Sequence, residues 1–196
     1  MQSNLEFVTD GSKVYRLGGN DWYAVMEDDD KVMLVDTDCK IGDEDLKTRW
    51  SNGDCRSEEG ENGQAILDYV NRIADKYFSS IKYAIKPRIV DAGTGDLANA
   101  YMWPMSRQEF NDNKVIGGKI VRNSNSVVWT RTFSGISSSN NRCAWCVGIA
   151  SGDLYNGDVS SVYRVAPAFI LKKSVIDHIT DDGEIVLKPA EANIAD

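Results

Sequence analysis

One stretch of this chain carries a helical stripe. In GQAILDYVNRIADKYF (63–78) the apolar residues Ile66, Tyr69, Val70, Ile73, Ala74, Tyr77 and Phe78 recur at steps of three and four, which puts them on one face of a helix. What precedes it is of another kind. KVYRL (13–17), WYAVME (22–27) and KVMLVD (31–36) are β-branched and aromatic runs separated by Gly-Gly-Asn-Asp and by Asp28 to Asp30, the pattern of a strand meander. Strand patterns return after it as VVWTRT, CAWCVGI and VYRVAPAFIL, with a Gly/Asn turn region before the last and a closing hairpin turned at Asp182-Gly183 in DDGEIVL. Strands, one main helix, then strands again exclude a helical bundle and a regular βαβ alternation, and predict a mixed α+β domain. Only short helical pieces are expected besides: a turn near 81–85 stopped by Pro87, and SRQEF (106–110), whose Ser106 and Glu109 have capping-box spacing. Residues 41–62 read as a long loop with Trp50 as its apolar anchor, RIVDAG (88–93) as the way into another loop, and KPAEANIAD (188–196) as a frayed tail.

At 196 residues with 42% hydrophobic and 27% charged content, the chain has the makings of one domain with a sizeable core. Its net charge of −8 repels phosphate backbones, so nucleic acid is not an expected partner. No window approaches the roughly 20 apolar residues of a spanning helix, and the amino terminus lacks a basic region followed by an apolar stretch. Neither membrane insertion nor a classical signal peptide is expected, and no compartment is indicated.

The residues that carry common chemistries are sparse. His178 is the single histidine, in VIDHITDDG, where it reads as a surface residue at a strand edge and not as a general base. Cys143-Ala-Trp-Cys146 has the spacing of a redox or zinc half-site. Cys39 and Cys55 supply no second close pair, and residues three apart on a strand face opposite ways. The two thiols are expected at solvent-facing or semi-buried positions. The acidic clusters 28–30, 43–45 and 58–59 lack the Ca²⁺-loop pattern, and the run Asp91-Ala-Gly-Thr-Gly95 matches no phosphate loop. Neither metal nor cofactor is expected, and nothing names an enzyme.

The spacing of Trp129-x-Arg131, a Ser/Asn/Gly-rich gap, Ala144-Trp145-x-Val147, Gly152-x-Leu154, Val159 and Val165-x-Pro167-Ala168-Phe169 resembles that of the C-type-lectin-fold variable proteins of diversity-generating retroelements. The phage major tropism determinant and the formylglycine-generating enzymes share that fold. LGGNDWYAVMEDDDKVMLVD, the helix before RIVDAG and MWPMSRQEF look like corresponding upstream segments, so the resemblance spans nearly the whole chain. It implies a single C-type lectin-like domain over 1–196 in the formylglycine-generating-enzyme-like variant, with mixed antiparallel strands, one main helix and one or two short ones. A variable region of about 130–165 is implied within it. Where many relatives have Gly-Val-Arg-Pro-Ala, this chain has Arg164-Val165-Ala166-Pro167-Ala168, and the Glu-Pro-Asn sugar motif is missing, so no Ca²⁺-dependent sugar site is implied.

In diversified members, adenines of Asn-type codons are randomised, which does not yield Lys, Glu, Gln or Met. Between Lys119 and Lys172 lie 52 residues with none of these four, whereas the other 144 positions hold 29. The resemblance then implies two interleaved sets. Trp129, Arg131, Ala144, Trp145, Val147, Gly152, Val159, Val165, Pro167 and Phe169 form the scaffold. Ile136, Asn140, Asn141, Arg142, Cys143, Cys146, Gly148, Ile149, Asp153, Tyr155 to Asp158 (with Asn156), Ser160, Ser161 and Val162 form an exchangeable ligand-binding face. Ser, Asn, Gly and Tyr are also the residues of antibody paratopes. The expected function is recognition of a protein or other surface molecule on a host or target, by a chain that acts alone, as a homo-oligomer or docked on a larger particle. Two alternatives stand beside it: an undiversified binding or structural domain of a phage or cell-surface protein, and a copper-dependent formylglycine-generating-type oxidase using Cys143 and Cys146.

Overall fold

The computed structural model describes residues 5–190. The amino-terminal meander forms β1 (Tyr15–Leu17), β2 (Asn20–Glu27) and β3 (Lys31–Asp36), paired antiparallel. The segment expected as loop carries three short strands, β4 (Lys40–Ile41), β5 (Glu44–Asp45) and β6 (Lys47–Arg49), and Trp50 is buried. The helical stripe becomes α1 (Gln64–Tyr77), followed by a 3-10 turn at Ser79–Ala84. α1 buries Ile66, Leu67, Val70, Ile73 and Ala74. Tyr69 and Tyr77 stay half-buried with their hydroxyls bonded to the Lys47 backbone N–H (3.3 Å) and to Glu44 (2.8 Å).

Two expectations fail in the middle of the chain. RIVDAG is the first strand of a hairpin, β7 (Arg88–Ala92) and β8 (Gly95–Ala100), after which comes β9 (Trp103–Pro104). The expected capping box is present at α2 (Arg107–Asp112), where the Ser106 side chain accepts from the Glu109 N–H and the Glu109 carboxylate accepts from the Ser106 N–H. A further helix, α3 (Lys114–Ser124), forms where the sequence does not announce one, because KVIGGKIVRNS carries β-branched residues and a Gly-Gly pair, both poor in helices. Packing supplies the reason for the glycines: a Cβ at Gly117 would lie 2.6 Å from the Phe110 ring.

The carboxyl-terminal half builds β10 (Val128–Ile136), β11 (Arg142–Val147), β12 (Leu154–Asp158), β13 (Val162–Arg164), β14 (Pro167–Lys172), β15 (Ile176–Ile179) and β16 (Ile185–Leu187). The expected Gly/Asn turn region is in large part the strand β12. VYRVAPAFIL is two strands in different sheets, because the buried pair Val165-Ala166 carries the chain across. One sheet has the order β1-β2-β3-β14-β9, the other β12-β11-β10-β13-β6. Pairing is antiparallel throughout both except for β10 with β13. The result is the mixed, mostly antiparallel α+β class read from the sequence. No helix among the described residues is long and apolar enough to cross a membrane.

Aromatic residues lock the layers. Trp22 packs edge-on against Phe169 of β14 at 4.8 Å and against Phe78 at 5.7 Å. In the second sheet Trp50 donates to the Thr130 carbonyl and Trp129 to the Thr48 carbonyl. Phe169→Ala opens a cavity where helix end and sheet meet, and is expected to lower unfolding free energy by about 3–5 kcal/mol in denaturant titration. A loss below about 1 kcal/mol would mean that this contact does not hold the layers together.

Candidate functional site

The second sheet fixes where the residues of the expected exchangeable set lie. β12 is its edge strand and pairs with β11 without interruption, from Cys143↔Asp158 to Val147↔Leu154. Ile136, Asn140, Ile149, Asp153, Tyr155, Asn156, Ser160 and Val162 are exposed. Asn141, Arg142, Gly148, Asp158 and Ser161 are half-buried. The exposed apolar members are conspicuous, since Ile136 and Val162 keep 53% and 55% of their surface in water. Such side chains normally stay exposed only singly or where a partner covers them.

Three members of the set are not on the surface. Cys146 has no exposed area and Cys143 is 7% exposed, which corrects the expectation of solvent-facing or semi-buried thiols. Strand alternation places them on opposite faces of β11. Burial pushes the Cys143 thiol up, and raises Cys146 to about 12, so both are held as thiols. That arrangement does not offer two thiolates to one metal ion, and no group of three or more His, Cys, Asp or Glu side chains among the described residues is gathered to hold one. Gly157 is buried too, and a Cβ there would sit 2.9 Å from both the Trp129 and Tyr163 rings.

Of the expected scaffold, Trp129, Ala144, Val147, Val159, Val165 and Phe169 are fully or almost fully buried, Pro167 is buried and Arg131 is 8% exposed. Gly152 is half-buried at φ +70°, where a Cβ would meet the Gly118 Cα at 3.2 Å. Trp145 is also half-buried, with the Arg107 guanidinium 3.9 Å from its ring centre. His178 lies exposed on β15 beside Asp177.

Beside this surface the fold opens a cleft of about 410 Å³, lined by Glu61, Asp91, Gly93, Thr94, Ser106, Arg131, Thr132 and Phe133. No spacing in the sequence announces it. The turn of the β7–β8 hairpin is brought against the segment before α1 by Thr94 N–H bonding to the Glu61 carbonyl (2.9 Å). Gly93 at the turn has φ +62°, and a Cβ there would stand 1.9 Å from that same carbonyl oxygen, so the approach requires glycine. Arg131 forms the floor of a buried charge network. Its Nη1 donates to Glu109 (2.5 Å) and to the Pro104 carbonyl (3.1 Å), and Glu109 is also bonded by Arg88 at 3.1 Å. Burial alone would raise the Glu109 pKa. The Arg131 charge and hydrogen bond, the Ser106 N–H and Arg88 outweigh it and hold the carboxyl below its ordinary value.

Comparison of the chain with protein families, curated proteins and solved structures finds no match. The site is therefore read from its own geometry.

Because the folded pKa of Glu109 lies below its unfolded value, the network stabilises the fold fully above the ordinary carboxylate pKa of 4.5 and loses that contribution as pH falls through the depressed value. Glu109→Gln is expected to cost about 2–3 kcal/mol at neutral pH. The gap to the parent should narrow below about pH 4 in urea titrations repeated across pH. A gap that stays constant with pH would show that the carboxylate charge is not what binds these elements.

Proposed function

We propose that this protein is a non-enzymatic ligand-binding protein of C-type lectin-like fold, in its formylglycine-generating-enzyme-like variant. Its edge of β10, β11 and β12 displays a surface diversified by a retroelement for recognition of a host or target surface molecule. One observation carries this reading: the 52 residues between Lys119 and Lys172 contain no Lys, Glu, Gln or Met, four residue types that adenine randomisation of Asn-type codons does not produce. Side-chain placement supports it, since thirteen of the fifteen residues Ile136, Asn140–Cys143, Cys146, Gly148, Ile149, Asp153, Tyr155, Asn156, Asp158 and Ser160–Val162 reach solvent. The interleaved residues Trp129, Ala144 and Val147 do not. A rigid buried lattice with exchangeable loops and edge strand between its members is the arrangement that lets a binding surface change without loss of the fold. The buried Cys143, Cys146 and Gly157 narrow the exchangeable set to its exposed and half-buried members.

The same reading predicts which changes the fold tolerates. Substituting Val162 by Ser or Asn, Asn156 by Ser, or Ser160 by Asn, all exposed positions, should move unfolding free energy by no more than about 0.5 kcal/mol. Gly157→Ser should cost about 1–3 kcal/mol through overpacking against Trp129. Sequencing the gene across many isolates tests the function itself. Differences confined to the exposed positions of 136–162 are expected, and identity throughout that region would favour a fixed binding or structural domain of a phage or cell-surface protein.

A further inference from the structure

One buried carboxylate takes no part in the cleft or in the displayed surface. Asp36, at the end of β3, is 1% exposed, and no ion pair among the described residues includes it. Its Oδ2 accepts the Lys40 N–H at 3.1 Å, which closes residues 36–40 into a turn. Cys39 stands in that turn at φ +60°, a backbone angle uncommon outside glycine, and its side chain has no exposed area.

The charges around the turn are negative or already committed. Asp38 lies on the turn itself, and Asp21 of β2 acts on Asp38. Arg164 of β13 is bonded twice to Asp45 of β5, at 2.5 and 3.0 Å, and Lys40 reaches the same Asp45 at 3.9 Å. From α3 come the Ser124 hydroxyl beside the Cys39 thiol and the Asn123 amide, which donates to the Thr37 carbonyl at 3.0 Å. A carboxyl group buried without a cation is costly to ionise, so it stays neutral while it stays buried. Burial first, and the Asp38 charge second, hold the Asp36 carboxyl well above its ordinary value.

The turn leads into the β4–β5 hairpin, whose strands have two residues each. Leu46 N–H bonds the Cys39 carbonyl at 2.9 Å and Gly42 N–H bonds Asn20 Oδ1 at 2.7 Å. A unit with so few bonds opens at lower free energy than the sheets beside it. The strands that flank it are held elsewhere, β3 by β2 and β14, and β6 by β13.

We propose that Asp36 is a proton-controlled latch: as the neutral acid it stays sealed in the turn, and its ionisation releases residues 37–46 and brings the Cys39 thiol to water. The latch is independent of whether the β10–β12 surface is diversified. Between the ordinary aspartate value of 3.8 and the raised one, the closed state binds more protons than the open state. Closure is therefore at full strength below 3.8 and weakens by up to about tenfold per pH unit as pH rises towards the raised value.

Native-state labelling of the full chain with methyl methanethiosulfonate from about pH 4 to about pH 8, read cysteine by cysteine by mass spectrometry, tests the latch. Each rate is divided by that of the same cysteine in urea at the same pH, which removes the intrinsic dependence on thiolate. Cys146, buried in the second sheet, reports opening of the whole fold. At about pH 7 the normalised Cys39 rate is expected to exceed that of Cys146 by about tenfold or more, and to fall by at least about tenfold on going to about pH 4. In Asp36→Asn this pH dependence should vanish. Where that variant does not fold, Asp38→Asn serves instead: without the neighbouring negative charge Asp36 ionises more readily inside the closed turn, and Cys39 labelling near pH 7 should slow. A Cys39 rate that is flat with pH, that tracks Cys146, that keeps its pH dependence in Asp36→Asn or that does not slow in Asp38→Asn overturns the proposal.

Discussion

The Arg131–Glu109 ion pair is the interaction around which the functional half of this protein is arranged. Glu109 closes the capping box at the start of α2, takes Nη1 of Arg131 from β10 and is bonded by Arg88 from β7. One carboxylate thus fixes a helix end, the long central strand of the second sheet and the β7–β8 hairpin relative to one another. Removing Glu109 leaves the buried Arg131 without its charge partner and Arg88 without its own, so the carboxylate ties the three elements together. The same side chain lines the cleft, with Nη1 held by Glu109 and the Pro104 carbonyl.

A second constraint comes from the glycines and aromatic residues of β10 to β12. Trp129 and Tyr163 pack at a tilt, ring centres 4.6 Å apart, and close over Gly157, which leaves no room for a side chain there. Trp50 lies 5.9 Å from Phe133 and bonds the Thr130 carbonyl, tying the segment before α1 to the central strand. The edge strand and its flanking turns add polar side-chain bonds of their own, Asn141 donating to Asp158 at 2.9 Å and Ser134 to Asn156 at 2.7 Å.

Much of this was legible in the residue pattern. The meander at 13–36, α1, the Ser106–Glu109 capping box and the final turn at Gly183 followed from local rules on periodicity and caps. α3 was hidden because its Gly-Gly pair serves packing against Phe110, a tertiary demand that runs against local preference. β7 and β8 were hidden because hairpin signals at Gly93 and Gly95 also read as loop. Within the candidate site, the alternation of buried and exposed residues along β10 to β12 was visible in outline. The burial of Cys143, Cys146 and Gly157 was not, since it depends on which rings lie across them. The cleft was invisible altogether: Glu61, Asp91 and Arg131 are distant in sequence and meet only through the hairpin turn. The absence of Lys, Glu, Gln and Met from 120–171 is a feature of composition, legible in the sequence alone.

Sequencing the genomic locus tests the proposed diversification most directly. The account predicts an imperfect repeat of the codons for about Val128 to Pro167 near the gene, differing from it at adenines, together with a reverse transcriptase gene. A locus with neither repeat nor reverse transcriptase would contradict diversification and leave a fixed surface on the same fold.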